Sequence, residues 1–198
     1  MMMEHLRKSH AEDLNSRLAA DIDGSFEELV RALQNRVYAV ALRLSGSAQD
    51  AEEITQDTFV KAYRALCDYP VQRVRDLTLR SWLYQIELNI FRNRLRRRRL
   101  RLVQLDKDGE ALSTKVAAAD SERPERLFER AEEWDELSAL VAKLPRRYRA
   151  AVVLRHVEGL SYAELALILR QPVGTVKANV HRGVQLLRTA LSKNARLD

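Results

Sequence analysis

The residues best suited to chemistry in this chain are arginines and amides that recur at helical spacing before and within a run of four arginines at 96–99. Guanidinium groups bind phosphate whatever the base, whereas an amide offers both a donor and an acceptor to a base edge. The pattern therefore predicts a helix that binds a nucleic acid strand, on which Asn89 could discriminate bases. The predicted polar stripe consists of Gln85, Asn89, Arg92, Arg96 and Arg99.

A second candidate site lies where a short helix, a turn and a longer helix follow one another. Ser161-Tyr162-Ala163-Glu164 is a capping box that starts a helix, and Pro172 requires that helix to end. Gly174 is expected to complete the turn and Thr175 to cap the next helix. That helix has an apolar side and a basic side, which is typical of a DNA-binding helix-turn-helix, although a helical hairpin with a solvated basic face is the alternative. The outward residues are Thr175, Lys177, Ala178, His181, Arg182 and Gln185, of which Arg182 can donate two hydrogen bonds to guanine.

A third pattern places carboxylates on the outer face of a helix predicted near residues 49–66. Ala51, Ile54, Thr55, Thr58, Ala62, Tyr63 and Leu66 are expected to face the core. The opposite face carries Asp50, Glu53, Gln56, Asp57 and Val60. An exposed valine among carboxylates suits a protein partner, but for this helix taken alone a solvated acidic face is the favoured explanation.

Charge alternates in sign along the chain. Residues 1–70 carry a net charge of −4, 71–107 carry +8, 108–145 carry −5 and 146–198 carry +7, within a total of +6. Two separate basic segments favour two contacts with a polyanion, with a random distribution of charge over a solvated surface as the alternative.

The elements that must position these residues are all helical. Glycine and proline number 6 and 4, and no segment alternates long enough to indicate a strand. Helices are predicted at about 26–44, 49–66, 79–101, 124–144, 147–157, 161–169 and 175–191, with a loop at 68–76. We expect an all-α protein with an N-terminal extension at 1–24, a helical domain at 25–101, a flexible linker at 102–123 and a second helical domain at 124–196.

Several function classes find no support in the sequence. The four histidines are scattered, and no catalytic triad, metal-ligand spacing or glycine-rich phosphate loop occurs, so we expect no enzyme, metal or cofactor. The single cysteine, Cys67, cannot form an internal disulfide and is expected in the core. The absence of a signal peptide and of a segment of ~20 apolar residues predicts a cytoplasmic protein without membrane insertion.

Taken together, these motifs resemble extracytoplasmic-function sigma factors, a group of the sigma-70 family. The run from Asp50 to Arg64 (DAEEITQDTFVKAYR) is similar to the polymerase-docking helix of that group, and SWLYQIELN at 81–89 is similar to its −10 promoter helix. The segments from Leu144 to Ala166 and from Pro172 to Lys177 are similar to its −35 promoter reader. The resemblance covers about 25–101 and 124–192.

The resemblance implies a function in transcription initiation and stress response. The acidic helix would dock on the β′ clamp of core RNA polymerase, the second domain would meet the β flap, and an anti-sigma factor would be a further partner. Asn89 corresponds to a position that recognises a flipped −10 base, Tyr69 to an aromatic wall beside it, and Asn93 and Arg97 lie on the same helix. Asn93 replaces an aspartate common in the group.

Three other classes compete with this interpretation. A stand-alone helix-turn-helix regulator would explain the C-terminal half but neither the acidic helix nor the −10-like helix. A sigma mimic that titrates an anti-sigma factor usually carries a receiver domain, for which this chain has no room. An enzyme lacks any supporting motif.

Overall fold

The structure, a computed structural model, describes residues 14–107 and 137–194, with side chains described for 14–98 and 137–193. Those two ranges contain helices and connections and no strand, which confirms the all-α prediction. We call 14–107 the first unit and 137–194 the second unit. The rest of the predicted linker and the helix predicted after Pro124, as far as residue 136, lie outside the described residues.

The first unit contains helices α1 (14–20), α2 (Ile22–Ser45), α3 (Ala48–Cys67), α4 (Val71–Arg75) and α5 (Leu79–Lys107). The Asp21 carboxylate caps α2 by accepting from the Gly24 amide at 3.0 Å. Gly46, in the left-handed region at φ 72°, ends α2, and Ser47 at once caps α3. This tight connection packs α2 against α3, and α5 packs across both helices. The core between the three helices includes Leu29, Leu44, Ile54, Leu66 and, from α5 itself, Leu83.

The prediction that residues 1–24 form an extension outside the domain is wrong for residues 14–20. Leu14 and Leu18 are buried in the core, and the Asn15 amide donates to the carbonyl oxygens of Val74, Arg75 and Leu77 at 3.3, 2.9 and 2.6 Å. Those carbonyls belong to α4 and the turn that follows it, within a segment that the sequence predicted as a loop. Helix α1 and helix α4 therefore stabilise each other, because the two hydrogens of the Asn15 side-chain NH2 group are shared among three backbone carbonyl oxygens.

The helix end predicted at about residue 101 is also corrected. Helix α5 continues to Lys107, so residues 102–107 of the expected linker are helical. This stretch is rich in leucine and contains neither glycine nor proline, so nothing in its sequence stops the helix.

The second unit contains α6 (137–143), α7 (Arg146–His156), α8 (Tyr162–Leu169) and α9 (Val173–Asn194). The predicted capping box is present: the Glu164 amide donates to the Ser161 hydroxyl at 3.2 Å, and the Ser161 amide donates to the Glu164 carboxylate at 2.7 Å. Thr175 does not cap α9, because the first helical hydrogen bond already runs from the Val176 amide to the Pro172 carbonyl at 3.1 Å. Arg170, at φ 55°, is the left-handed residue that ends α8.

A glycine allows α9 to lie close against α7. A Cβ atom at Gly183 would stand 2.5 Å from Cγ2 of Val152 and 3.2 Å from Cβ of Tyr148, both closer than van der Waals contact permits. The absence of a side chain at Gly183 therefore sets the distance between the two helices.

The two units contact each other, α2 against α7 and α5 against α8. Arg149 of α7 donates to the Leu44 carbonyl at 2.6 Å, and Glu158 accepts a hydrogen bond from the Tyr84 hydroxyl. Arg36 lies 3.4 Å from the same Glu158 carboxylate. We call Arg36, Tyr84 and Glu158 the interdomain cluster.

Candidate nucleic-acid interface and acidic docking face

Helix α5 presents the predicted polar stripe to solvent and buries its other side. Leu83, Tyr84 and Leu88 are buried, Gln85 is half-buried, and the stripe residues Asn89, Arg92 and Arg96 are exposed. Asn93 and Arg97 on the same helix are also exposed; Arg99 belongs to the helix, but its side chain lies outside the described part. Packing requires none of the exposed side chains, so all are available to a ligand.

Tyr69 packs against the first turn of α5, at the start of this stripe. Its ring packs on Trp82 with centroids 6.0 Å apart, and Trp82 lies seven residues before Asn89, or about 10 Å along the helix axis. The guanidinium of Arg73 covers the Tyr69 ring at 3.7 Å from its centroid. A base stacking on that face of Tyr69 must displace Arg73.

The outer face of α3 carries the predicted carboxylates, but they are paired within the chain. Arg94 of α5 donates to Glu53 at 2.7 Å and to Asp57 at 3.1 Å, and its guanidinium is 3.9 Å from Asp50. Arg98 donates to Asp50 at 3.1 Å. Partial burial lowers the pKa of the Arg94 guanidinium, but the hydrogen bonds to Glu53 and Asp57 outweigh it and raise that pKa.

The members of this face differ in exposure. Glu53 and Asp57 keep 51% and 52% of their side-chain surface in solvent, whereas Asp50 keeps 18%. Gln56 is exposed and Val60 is 44% exposed. Asp50 is therefore a bracing residue between two arginines, and the accessible face consists of Glu53, Gln56, Asp57 and Val60.

Sequence reasoning missed Arg94 and assigned Arg98 to DNA alone. Both follow Ile90 at intervals of four residues, so the three share the side of α5 that faces α3. The signal was available, because the carboxylates at 50, 53 and 57 have matching helical spacing on α3.

An apolar groove of about 800 Å³ continues this face between α2 and α3. Phe26 packs edge-on against Phe59 and Tyr63, with ring centroids 6.5 and 5.1 Å away. Tyr63, predicted to face the core, is partly exposed, and Phe59 is buried instead. The Tyr63 hydroxyl donates to Asp23 at 2.5 Å, and this hydrogen bond raises the pKa of Tyr63 to about 12.

Helix α9 exposes every residue predicted to read duplex DNA. These are Thr175, Lys177, Ala178, His181, Arg182 and Gln185. On the other side Val176 and Val180 are buried against the second unit. The Asn179 amide donates to the Gln171 side chain at 3.0 Å, which ties the turn to the helix. Helices α8 and α9 therefore form a helix-turn-helix in which the basic face of α9 is exposed to solvent.

Cys67, expected in the core, is exposed at the end of α3. The apolar pattern of that helix ends at Leu66, the last buried residue before the connection to α4.

A buried carboxylate lies beside the interdomain cluster. Glu87 of α5 is fully buried, and both of its carboxylate oxygens lack a hydrogen-bond partner among the described residues. Burial, and then the nearby Glu158 carboxylate, raises the pKa of Glu87 well above its ordinary value. Burial, followed by the hydrogen bond to Glu158, also raises the pKa of Tyr84.

These surfaces define a class: a two-unit helical protein with a helix-turn-helix, a second basic helix and an acidic face that contains an exposed valine. The model of sigma-70 region 2 matches residues 29–101, and that of sigma-70 region 4 matches residues 134–187. The chain therefore belongs to the sigma-70 family, in the extracytoplasmic-function group of RNA polymerase sigma factors, which direct polymerase to promoters.

Relatives and solved structures agree with this assignment. The chain is 39% identical over 172 residues to the ECF RNA polymerase sigma factor SigE of Mycolicibacterium smegmatis, covering 86% of this chain and 63% of that protein. It is 32% identical over 189 residues to the RNA polymerase sigma-H factor of Pseudomonas aeruginosa, covering 94% and 96%. The sigma factor RpoE of Bartonella quintana, solved in complex with the anti-sigma factor NepR, superposes with a TM-score of 0.65 at 26% identity, covering 84% and 96%.

Within the described ranges, every helix is too short or too polar to span a lipid bilayer.

Proposed function

We propose that this chain binds core RNA polymerase through the accessible face of α3 and directs it to promoters through α5 and α9. The observation that carries the proposal is that one unit presents both an acidic face containing an exposed valine and the exposed stripe of α5. A stand-alone helix-turn-helix regulator has no use for either surface. The protein acts by binding rather than by catalysis, and its place of action is the cytoplasm, where polymerase and promoter DNA are found.

At the −10 element, Asn89 recognises a base flipped out of the melted strand, and the arginines hold the backbone. Flipping costs a few kcal/mol, which stacking and edge hydrogen bonds offset. Tyr69 would supply the stacking surface after Arg73 has left its ring, at the start of the stripe. Gln85, Asn93 and Arg97 extend the contact along the strand.

At the −35 element, α9 enters the major groove with Arg182 towards base edges. Lys177 is held near the Tyr162 ring, 5.6 Å from its centroid, in the second turn of the helix, where it suits a phosphate. The second unit would also meet the β flap of polymerase. An anti-sigma factor is proposed as a further partner, supported by the RpoE–NepR complex.

Promoter binding requires the two units to separate. Elements centred about 25 base pairs apart are separated by ~85 Å at about 3.4 Å per base pair. The interdomain cluster holds α5 and the second unit in direct contact, so the described arrangement cannot span that distance. We propose that it is a closed state of the free protein.

The docking assignment is tested by Val60→Arg, measured as affinity for core polymerase without DNA. Val60 is 44% exposed, so we expect the variant to fold and to bring a large, positively charged side chain into the interface, where it opposes a basic group of the partner. Charge reversal at Glu53 or Asp57 is a poorer probe because it also breaks the pairs with Arg94.

We expect Val60→Arg to weaken binding at least ~30-fold, a cost of about 2 kcal/mol. We call the accessible face of α3 the docking face. The matched control is Val71→Arg on α4, because Val71 is 53% exposed in the same unit and lies outside the docking face. Equal affinity of the two variants would show that α3 does not dock on polymerase.

A further inference from the structure

Helix α5, which carries the stripe proposed to bind the −10 element, also contacts the docking face of α3. Arg94 of α5 lies between Glu53 and Asp57, with one guanidinium nitrogen 2.7 Å from the first carboxylate and the other 3.1 Å from the second. The Arg94 side chain is 28% exposed, so it is shielded by the two carboxylates that it holds. We infer that Arg94 is a positioning residue of the docking face, which holds Glu53 and Asp57 in the orientation that polymerase binds. This inference rests on the proposed docking function.

The carboxylates remain able to accept from a partner. A carboxylate offers about four lone-pair sites, and Arg94 uses one oxygen of Glu53 and one of Asp57. Both side chains keep about half of their surface in solvent. The guanidinium therefore fixes the two acceptors from the protein side and leaves their outer side to a basic group of the partner.

Positioning has a measurable value in binding. An unrestrained glutamate or aspartate samples several rotamers, and fixing one rotamer-rich side chain on association costs about 2- to 10-fold in affinity. Arg94 fixes two such side chains before the partner arrives. The loss of that restraint is expected mainly in the dissociation rate, since the charges that steer association remain.

The geometry favours arginine at this position. A planar fork places two nitrogens at fixed positions against two different carboxylates, whereas a lysine ammonium presents all of its donors from one freely rotating atom. Arg98 has a different role, because it pairs with Asp50, which is itself largely buried. Helix α5 thus braces the docking face with Arg94 and faces nucleic acid with Asn89.

A competing explanation predicts the opposite change in affinity for polymerase when Arg94 is replaced. If Arg94 only neutralised the carboxylates, it would compete with a basic partner, and its removal would strengthen docking. Arg94→Gln removes the charge and Arg94→Lys keeps the charge but removes the fork, so the two variants separate the explanations.

The experiment measures association and dissociation rates of the full chain on core polymerase without DNA. We expect Arg94→Lys and Arg94→Gln to raise the dissociation rate about fivefold or more, because each leaves Glu53 and Asp57 unrestrained. The matched control is Arg31→Lys on α2, which alters an exposed pair with Glu27 at 2.5 Å outside the docking face and is expected to leave both rates unchanged.

A double-mutant cycle excludes a merely structural effect. In a chain that carries Glu53→Gln and Asp57→Asn, Arg94→Lys should cause no further loss, because the groups that it positions are no longer charged. Wild-type rates for Arg94→Lys, or tighter binding by Arg94→Gln, would overturn the inference while leaving the docking function intact. No binding by the unsubstituted chain would instead overturn the proposed function, and this inference with it.

Discussion

Breaking the interdomain cluster should open the free protein. Tyr84→Phe removes the hydroxyl that donates to Glu158 and keeps the ring in the core of the first unit. The Glu158 side chain is only 4% exposed, and its other partner, Arg36, is 3.4 Å away. In the closed state of the variant, the buried Glu158 carboxylate has only the weak contact with Arg36, whereas in the open state water can hydrate it. The substitution therefore destabilises the closed state relative to the open state.

The magnitude follows from that difference. A hydrogen bond to a charged group contributes about 1.5–3 kcal/mol, which corresponds to an increase of about 10- to 150-fold in the ratio of open to closed molecules. If polymerase binds only the open state and the closed state dominates, its apparent affinity improves by the same factor.

The assay uses the exposed native Cys67 and a second cysteine introduced as Ser192→Cys near the end of α9. Energy transfer between dyes at these positions reports the separation of the two units, and affinity for core polymerase is measured in parallel. Tyr63→Phe is the matched control, because it removes a tyrosine–carboxylate hydrogen bond within the first unit, at 2.5 Å from Asp23.

We expect lower energy transfer and tighter polymerase binding for Tyr84→Phe, and no change in energy transfer for Tyr63→Phe. Unchanged energy transfer together with unchanged affinity for Tyr84→Phe would refute the closed state as an obstacle to docking.

Three further predictions concern packing, titration and base recognition. Gly183→Ala should destabilise the protein by about 1–3 kcal/mol through its clash with Val152, whereas Gly174→Ala, which meets nothing within 4 Å, should not, as thermal unfolding will show. Because the pKa of Glu87 is raised on folding, the unfolded chain loses this proton first above pH 4.5, and stability falls as pH rises. We therefore expect the melting temperature of Glu87→Gln to rise relative to that of the unsubstituted protein as pH increases from about 5 to about 8. A difference in melting temperature that does not change with pH would contradict this prediction. Arg182→Ala should cost ~1–3 kcal/mol at one −35 position and relax base preference there, whereas Arg92→Ala should weaken all promoters about equally in a selection experiment.

The elements that carry the site could be predicted from the sequence because their signals are local. Helix α3 repeats apolar residues from Ala51 to Leu66, and the capping box at Ser161 fixes the start of α8. The all-helical fold and the family were confirmed. The site roles on α3, α5 and α9 stay predictions, although the structure leaves most of those side chains accessible.

The remaining features depend on contacts that a single helix cannot indicate. Helix α1 offers only Leu14 and Leu18 as an apolar pair, and the partners of Asn15 lie about sixty residues away in the chain. A helical wheel of α3 shows Glu53 and Asp57 as free, because Arg94 belongs to another helix.

The same wheel misplaced Tyr63. Its ring packs against Phe26, and its hydroxyl reaches Asp23 of α2, at the rim of the groove rather than inside the core. Burial of Phe59 in its place depends on how α2 crosses α3, which the sequence of one helix does not contain.

Run-off transcription with core polymerase on genomic fragments, with and without the full chain, shows whether this protein directs polymerase to promoters. We expect discrete transcripts only when the chain is present, from start sites that share two upstream elements, and loss of those transcripts with Val60→Arg. Transcripts that do not depend on the chain, together with tight binding of the chain to promoter duplex in the absence of polymerase, would contradict the account and favour a stand-alone regulator.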